Sequence, residues 1–257
     1  MAPNAPGNRE ILLQSTAQHL GPQALDTVDE TSISDAVSTD AEPFPFSPVC
    51  ITQDSVPRNL KSDPAAIMVG LEHEVPRWEP NSVVKWTAWQ MGYDSPADAK
   101  YAASQLKQAA GAWNEANVGV TFEFVPLAKD ANFVLCHGGD KGNVLASAYF
   151  PNQNDLNFLR VYSLAFRPDF RKNLWKVFTH ELGHVLGLRH EFAMESNPGR
   201  FEGNAVQVGE KNPLSVMNYR KELPELQKSD IDATQYFYRL PVGTRLSTTP
   251  IVDYVPQ

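Results

Sequence analysis

The sequence of 257 residues predicts an α+β fold, and two kinds of pattern support this prediction. Runs of β-branched and aromatic residues predict strands, at 83–89, 120–125, 132–136, 145–150 and 160–166. Apolar residues at helical spacing predict helices, at 95–117, 173–187 and 230–239. Strands interspersed with two long helices favour helices packed on a sheet, followed by a smaller C-terminal part that the third helix closes.

The ends of these helices carry recognisable signals. Ser95 is the predicted N-cap of the first long helix, because Pro96 follows at the first helical position and Asp98 lies three residues after the cap. Ser229 is the predicted cap of the third helix. The second long helix is expected to end at Gly187, since glycine adopts the left-handed conformation at low cost.

The net charge of −8 is concentrated near the N-terminus. Residues 1–57 contain eight acidic side chains and one basic side chain, Arg9, and they are rich in Pro, Ser and Thr. We therefore expect residues 1–70 to form an acidic, flexible segment or a pro-segment. Residues 71–257 would form the folded domain, divided near residue 187. An acidic segment on a nearly neutral body argues against nucleic-acid binding.

Other features limit the cellular setting. No apolar run approaches the roughly 18 residues of a transmembrane helix, so we expect no membrane span. Residues 1–7 lack the basic start and apolar stretch of a secretory signal, which leaves the compartment unknown. We expect a monomer. Cys50 and Cys136 are the two cysteines, and a disulfide between them, two free thiols, or a Cys50 thiolate on a metal all remain open.

The segment 180–190 carries the chemistry. His180 and His184 are four residues apart, which places both imidazoles on one face of a helix. After the reversal at Gly187, the chain can present His190 as a third ligand. Three histidines with an open fourth position are typical of a catalytic site for Zn2+, which is the expected cofactor.

Glu181 follows the first histidine directly, so its carboxylate is expected beside the metal rather than on it. Zinc lowers the pKa of bound water from about 15.7 toward about 7, and a carboxylate there can take the proton. Glu181 would then pass that proton to the leaving amine. The predicted function is a zinc-dependent endopeptidase that attacks peptide bonds with the zinc-activated water.

Three other interpretations compete with this one. The histidines could be structural residues of a buried helix, but their spacing, with Glu181 and Gly187 between them, argues against that. A catalytically silent zinc-binding protein is disfavoured because Glu181 is intact. A zinc hydrolase of a non-peptide amide remains open, and an extended cleft with a free edge strand would argue against it.

Residues 180–190 match the pattern H-E-x-x-H-x-x-G-x-x-H and resemble the metzincin metalloproteases. The segment Ser215-Val216-Met217-Asn218-Tyr219 resembles the methionine turn of that clan. The resemblance implies the metzincin fold: a five-stranded, twisted, mostly parallel sheet, two long helices and a small C-terminal subdomain. It also implies that Met217 forms an apolar floor under the zinc ligands. We expect a peptide to bind in extended form along an edge strand such as 145–150, by strand addition.

Within the clan, Glu191 after the third histidine and Tyr219 after the methionine look most like astacins, while 226–238 resembles the last helix of matrixins. The astacin likeness implies that Tyr219 is a fifth zinc ligand and oxyanion donor. It also implies that Glu191 contacts a new N-terminus, made by cleavage within 58–80. The chain has two cysteines, whereas astacins usually have four, and the matrixin Pro-Arg-Cys-Gly switch does not occur in the sequence.

Overall fold

The computed structural model describes residues 7–33, 49–51, 66–71, 73–193, 205–209, 212–218 and 225–257. The helices of this part of the chain are α1 (Asn8–Leu20), α2 (Pro96–Glu115), α3 (Pro168–Arg171), α4 (Leu174–Val185) and α5 (Lys228–Arg239). The strands are β1 (Val49–Ile51), β2 (Ala66–Val69), β3 (Val75–Trp78), β4 (Ser82–Ala88), β5 (Val120–Phe124), β6 (Phe133–His137), β7 (Val144–Ser147), β8 (Asn157–Val161), β9 (Leu188–Arg189), β10 (Val206–Gly209), β11 (Arg245–Leu246) and β12 (Thr249–Tyr254).

The main sheet has the order β1-β7-β8-β6-β4-β5. Its neighbours are parallel except for the antiparallel pair β7–β8. Four of the five strands from β7 to β5 overlap the predicted ranges well. The fifth, β8, lies earlier than the predicted strand 160–166, because Ser163–Phe166 form a 3-10 helix, and β1 adds a sixth strand from the N-terminal segment. The α+β fold with a mostly parallel sheet and two long helices is therefore confirmed.

Helices α2 and α4 pack together over the main core. The buried face of α2 is rich in alanine, and such small side chains allow a close approach. Ser95 caps α2 as predicted, accepting the Asp98 N–H at 3.2 Å. The buried indole of Trp113 on α2 donates to the Thr179 carbonyl at 2.9 Å, which fixes α4 against α2.

Residues 7–33 differ from the expected flexible segment, because they dock on the domain. Leu12 and Leu13 of α1 pack against a buried cluster that includes the sheet residues Val134 and Cys136. These alternate along β6 with residues of the main core, so α1 covers the sheet face opposite α2 and α4. The physical reason is the partial burial of Leu12 and Leu13, which outweighs the acidic composition around them, whereas Ile11 is exposed.

Arg9 is the polar anchor of this docked segment. Its backbone N–H donates to the Asp155 carboxylate at 2.9 Å, and its guanidinium also donates to the Asp155 carbonyl. Further bonds reach the carbonyls of Lys129 at 2.7 Å and Gln257 at 2.6 Å. One side chain thus ties α1 to two loops and to the C-terminal residue.

The C-terminal part is closed differently from the prediction. The cap of α5 is Gln227 rather than Ser229, because Asp230 accepts the Gln227 N–H in a capping box. After α5 the chain continues into β12, which pairs in parallel with β3. This return strand was not predicted, since Pro250 and the charged and polar residues of the segment hide its β pattern.

Two smaller findings concern the cysteines and the helices. Cys136 is a buried free thiol, so a Cys50–Cys136 disulfide is not formed. Among the described helices, none combines the length and apolar character that crossing a bilayer requires.

Candidate metal centre

Three buried histidines converge at the C-terminal end of α4. His180 and His184 lie one turn apart on that helix, and the chain reverses at Gly187, where φ is 94°. β9 then leads directly to His190. The His184 Nε2 atom lies 3.1 Å from His180 Nε2 and 3.2 Å from His190 Nε2.

Backbone carbonyls set the orientation of two of these rings. The His180 Nδ1–H donates to the Val216 carbonyl and the His184 Nδ1–H donates to the Leu188 carbonyl, both at 2.7 Å. A carbonyl only accepts, so the proton of each neutral ring is on Nδ1 and the lone pair is on Nε2.

This arrangement fits a cation. Lone pairs that face each other at 3.1 Å in a buried site repel unless a positive charge lies between them. Two nitrogens each bonded at about 2.0–2.1 Å to a tetrahedral ion are about 3.3–3.4 Å apart, close to the observed spacing. The three histidines are thus a donor set for Zn2+, as the sequence predicts.

The protonation of the cluster favours metal binding. Burial, followed by the charge of His190, lowers the pKa of His180 to about 3. Burial also lowers the pKa of His184 well below its ordinary value, with the neighbouring imidazoles adding to the effect. Both rings are therefore neutral at neutral pH, which is the state that binds a metal.

Aromatic rings enclose the cluster. Phe150 stands edge-on to His184 with 5.7 Å between ring centroids. Phe192 stacks on His190 with centroids 4.8 Å apart and an interplanar angle of 8°. These contacts restrict rotation of the two imidazoles and keep water from one side of the donor set.

A turn at 215–217 supports the cluster from the other side. Val216 provides the carbonyl for His180, and Met217 is buried with its sulfur against α4 at Gly183. A Cβ at Gly183 would overlap that sulfur, so a glycine is required for this contact. Asp230, the N3 residue of α5, accepts the Val216 N–H at 2.9 Å.

The sequence did not identify Asp230 as part of the site. Its carboxylate oxygen accepts both the Val216 N–H and the Gln227 N–H, each at 2.9 Å. Burial raises its pKa above the ordinary value, and the two N–H bonds act in the opposite direction. Asp230 could have been recognised as the third residue after a helix cap, but the sequence predicts that cap at Ser229 instead of Gln227.

Three further residues were predicted to belong to the site: Glu181, Glu191 and Tyr219. Glu181 is fully buried on α4, directly after the first ligand. Glu191 is also buried, and its carboxylate accepts the Asn212 N–H at 2.7 Å. Its own N–H donates to the Met217 carbonyl at 3.1 Å, which connects the ligand loop to the turn. Tyr219 lies outside the described residues.

We predict that Asp230→Ala lowers zinc affinity by about 10- to 100-fold, the usual cost of losing an outer-shell partner. The substitution removes the acceptor of the Val216 N–H, so the carbonyl that orients His180 loses its support. Competition with a chromophoric chelator measures the change. Asp232→Ala is the matched control, because Asp232 is exposed on the same helix and pairs with Lys228. Equal zinc affinities for the two variants would rule out this role for Asp230.

Comparison with known proteins adds a family match. The Matrixin family matches residues 77–197, just under half of the chain. This range contains the main sheet from β4 to β8, both long helices and all three histidines. No curated protein sequence matches the chain.

Several solved structures are similar at low identity. Myroilysin shares 15% identity with a TM-score of 0.48, covering 68% of this chain and 100% of that chain. High choriolytic enzyme 1, a hatching-enzyme zinc-protease from Oryzias latipes, shares 12% identity with a TM-score of 0.43, covering 64% and 95%. The ECX AB5 holotoxin in its GM1-bound form shares 14% identity with a TM-score of 0.39, covering 67% and 88%.

These TM-scores lie below 0.5, so the three structures carry no further conclusion. The Matrixin match covers α4, the reversal at Gly187 and all three histidines of the donor set, but not the turn at 215–217. Over residues 77–197 the chain is therefore similar to the Matrixin family, and this range contains the complete three-histidine donor set.

Proposed function

We propose that the protein is an endopeptidase in which Glu181 is the general base. The observation that carries the proposal is the convergence of three buried imidazoles, two of them on the helix that also carries the buried carboxylate of Glu181. When bound, Zn2+ supplies positive charge that polarises a carbonyl and acidifies water. Glu181 accepts a proton from the attacking water and returns it to the leaving amine.

Burial gives Glu181 its catalytic strength in this proposal. The carboxylate is fully buried, so few water molecules compete for its hydrogen bonds and its charge is weakly screened. Its place in the sequence, one residue after His180 and three before His184, keeps it near the donor set as α4 turns. Because the helix is packed and rigid, this geometry forms without a loss of conformational entropy during turnover.

The substrate in this proposal is a peptide in extended form along β7. The outer side of β7 pairs with β1, so this edge can accept a further strand once β1 leaves it. Phe150 follows β7 by three residues and contacts the His184 ring, so this edge leads toward the metal. Backbone hydrogen bonds along such an edge bind peptides of many sequences and place the scissile bond in register.

Tyr219 is the proposed oxyanion donor and possible fifth zinc ligand, on the strength of its place two residues after Met217. The described turn ends at Asn218, close to the His180 contact made by Val216. A phenol hydroxyl can donate to the negative oxygen that develops in the transition state.

We also propose that the N-terminal segment makes the chain latent. β1 pairs in parallel with β7, with Val49 opposite Val144 and Ile51 opposite Ser147. A substrate strand and β1 cannot both pair with the same edge. The docked residues 7–33, anchored by Arg9, keep β1 at high effective concentration beside that edge.

Glu181→Gln should retain zinc and lower peptidase turnover by about 100- to 10,000-fold, because the imidazoles remain and the base is lost. Cleavage of a diverse peptide library, with and without a chelator, measures peptidase activity. Zinc content measured on the same samples separates chemistry from metal loss. Turnover within a few-fold of the unsubstituted chain would disprove the role of Glu181. Chelator-sensitive activity on simple amides alone would instead favour a non-peptide hydrolase.

Tyr219→Phe should lower the turnover number by about 10- to 1,000-fold with little change in KM, because only the hydroxyl is removed. Steady-state kinetics on one peptide provide both constants. Tyr236→Phe, on an exposed residue of α5, is the matched control. A turnover number for Tyr219→Phe equal to that control would leave Tyr219 without a catalytic role.

Cutting the full chain at an engineered protease site within residues 58–65 should raise peptidase activity several-fold. Arg9→Ala should increase the gain, since α1 then detaches more readily after the cut. Arg245→Ala is the control, because this exposed arginine donates to Thr248 within its own hairpin. Equal activity before and after the cut, with and without Arg9, would show that the segment is not inhibitory.

A further inference from the structure

A hairpin from the end of the acidic segment packs directly behind the zinc ligands. It consists of β2, a tight turn and β3, and we call residues 66–78 the brace hairpin. Beyond the Leu71–Glu74 bridge the two strands belong to different sheets, because β2 pairs with β9 and β10 whereas β3 pairs with β12. The turn is closed by two backbone bonds of 2.7 Å between Leu71 and Glu74. Val69 and Gly70 are buried, so the hairpin is part of the folded domain although the sequence-based boundary fell at residue 70.

The first strand of the brace hairpin pairs with the ligand loop. β2 is antiparallel to β9, with Met68 opposite Arg189 and Val69 opposite Leu188. The Leu188 carbonyl accepts the hydrogen bond of the His184 Nδ1–H, and Arg189 immediately precedes His190. A two-residue strand has little stability alone, so its position depends on the strand beside it.

One side chain strengthens this pairing. Arg189 is 3% exposed, and its guanidinium donates to the Gly70 carbonyl at 2.7 Å. A hydrogen bond from a charged donor to a carbonyl is stronger inside the protein than in water. Its loss therefore destabilises the pairing of the two segments. Gly70 has φ of 108°, a conformation that favours glycine, and its carbonyl accepts the Arg189 bond in this conformation.

The second strand supports the reversal that precedes β9. The Pro76 carbonyl on β3 lies so close to Gly187 that any Cβ there would overlap it. β3 is in turn held by its pairing with β12. The ligand loop from Gly187 to His190 therefore contacts both strands of the brace hairpin.

We propose that Arg189 is a positioning residue for the zinc ligands and that the brace hairpin belongs to the active enzyme. Processing that removes the inhibitory segment must then cut before Ala66, within residues 52–65. The processing part rests on the latency proposed above, whereas the effect of Arg189 on zinc binding is measurable without any turnover.

Arg189→Met should weaken zinc binding by about 10- to 100-fold, and Arg189→Lys should recover part of that loss because lysine can donate to the Gly70 carbonyl. Chelator competition measures zinc affinity, and the visible spectrum of the Co2+-loaded chain reports ligand geometry. Arg171→Met is the control, because Arg171 pairs with Asp98 and contacts the Tyr101 ring on the surface of α2. Its stability should fall without a change in zinc affinity or in the Co2+ spectrum.

A cut in the turn at residues 71–74, followed by removal of the released peptide, provides a second measurement that does not depend on the folding of a variant. This cut should weaken zinc binding, while a cut within 58–65 should leave it unchanged within about twofold. The proposal is overturned if the turn cut leaves zinc binding unchanged, or if Arg189→Met and Arg171→Met bind zinc equally. Absence of peptidase activity from the zinc-loaded chain cut within 58–65 would refute the proposed function and leave the zinc result intact.

Discussion

Two hydrogen bonds between imidazole nitrogens and backbone carbonyls determine the character of the metal centre. The Val216 and Leu188 carbonyls accept hydrogen bonds from Nδ1–H of His180 and His184. The Nε2 atoms, which face each other, therefore carry the lone pairs. Burial keeps these rings neutral, and lone pairs as close as 3.1 Å then require a cation. The surrounding structure serves to hold these carbonyls in place: Asp230 holds the Val216 turn, and the hairpin at 66–78 holds the strand that contains Leu188.

This dependence explains why distant parts of the chain meet at one loop. α4 supplies two ligands because its buried face packs on α2 and the sheet, while the third ligand needs the glycine reversal and a strand pair. The N-terminal segment contributes in two opposite ways. Its last part supports the ligand loop through β2, whereas β1 covers the edge at which we propose that substrate binds. If the proposed latency holds, the position of the cut between them determines whether peptidase activity rises or zinc binding weakens.

Much of the fold and the donor set could be predicted because the relevant signals are local. Helical spacing gives α2 and α4, and four-residue spacing with a following glycine gives the histidine cluster. β2, β12 and Asp230 could not be predicted, because each acts through a long-range contact that no local pattern encodes. Arg189 precedes the third histidine in the sequence, yet its function depends on Gly70, more than a hundred residues earlier. The docking of residues 7–33 was also missed, since an acidic composition hid one short apolar run.

X-ray absorption at the zinc edge of the zinc-loaded full chain tests the three-histidine centre most directly. The account predicts three imidazole nitrogens at about 2.0–2.1 Å, with light oxygen scatterers completing the shell. The same spectrum from His190→Ala should lose one imidazole. A shell with only one or two imidazoles in the unsubstituted chain, or one dominated by sulfur at about 2.3 Å, would contradict the account.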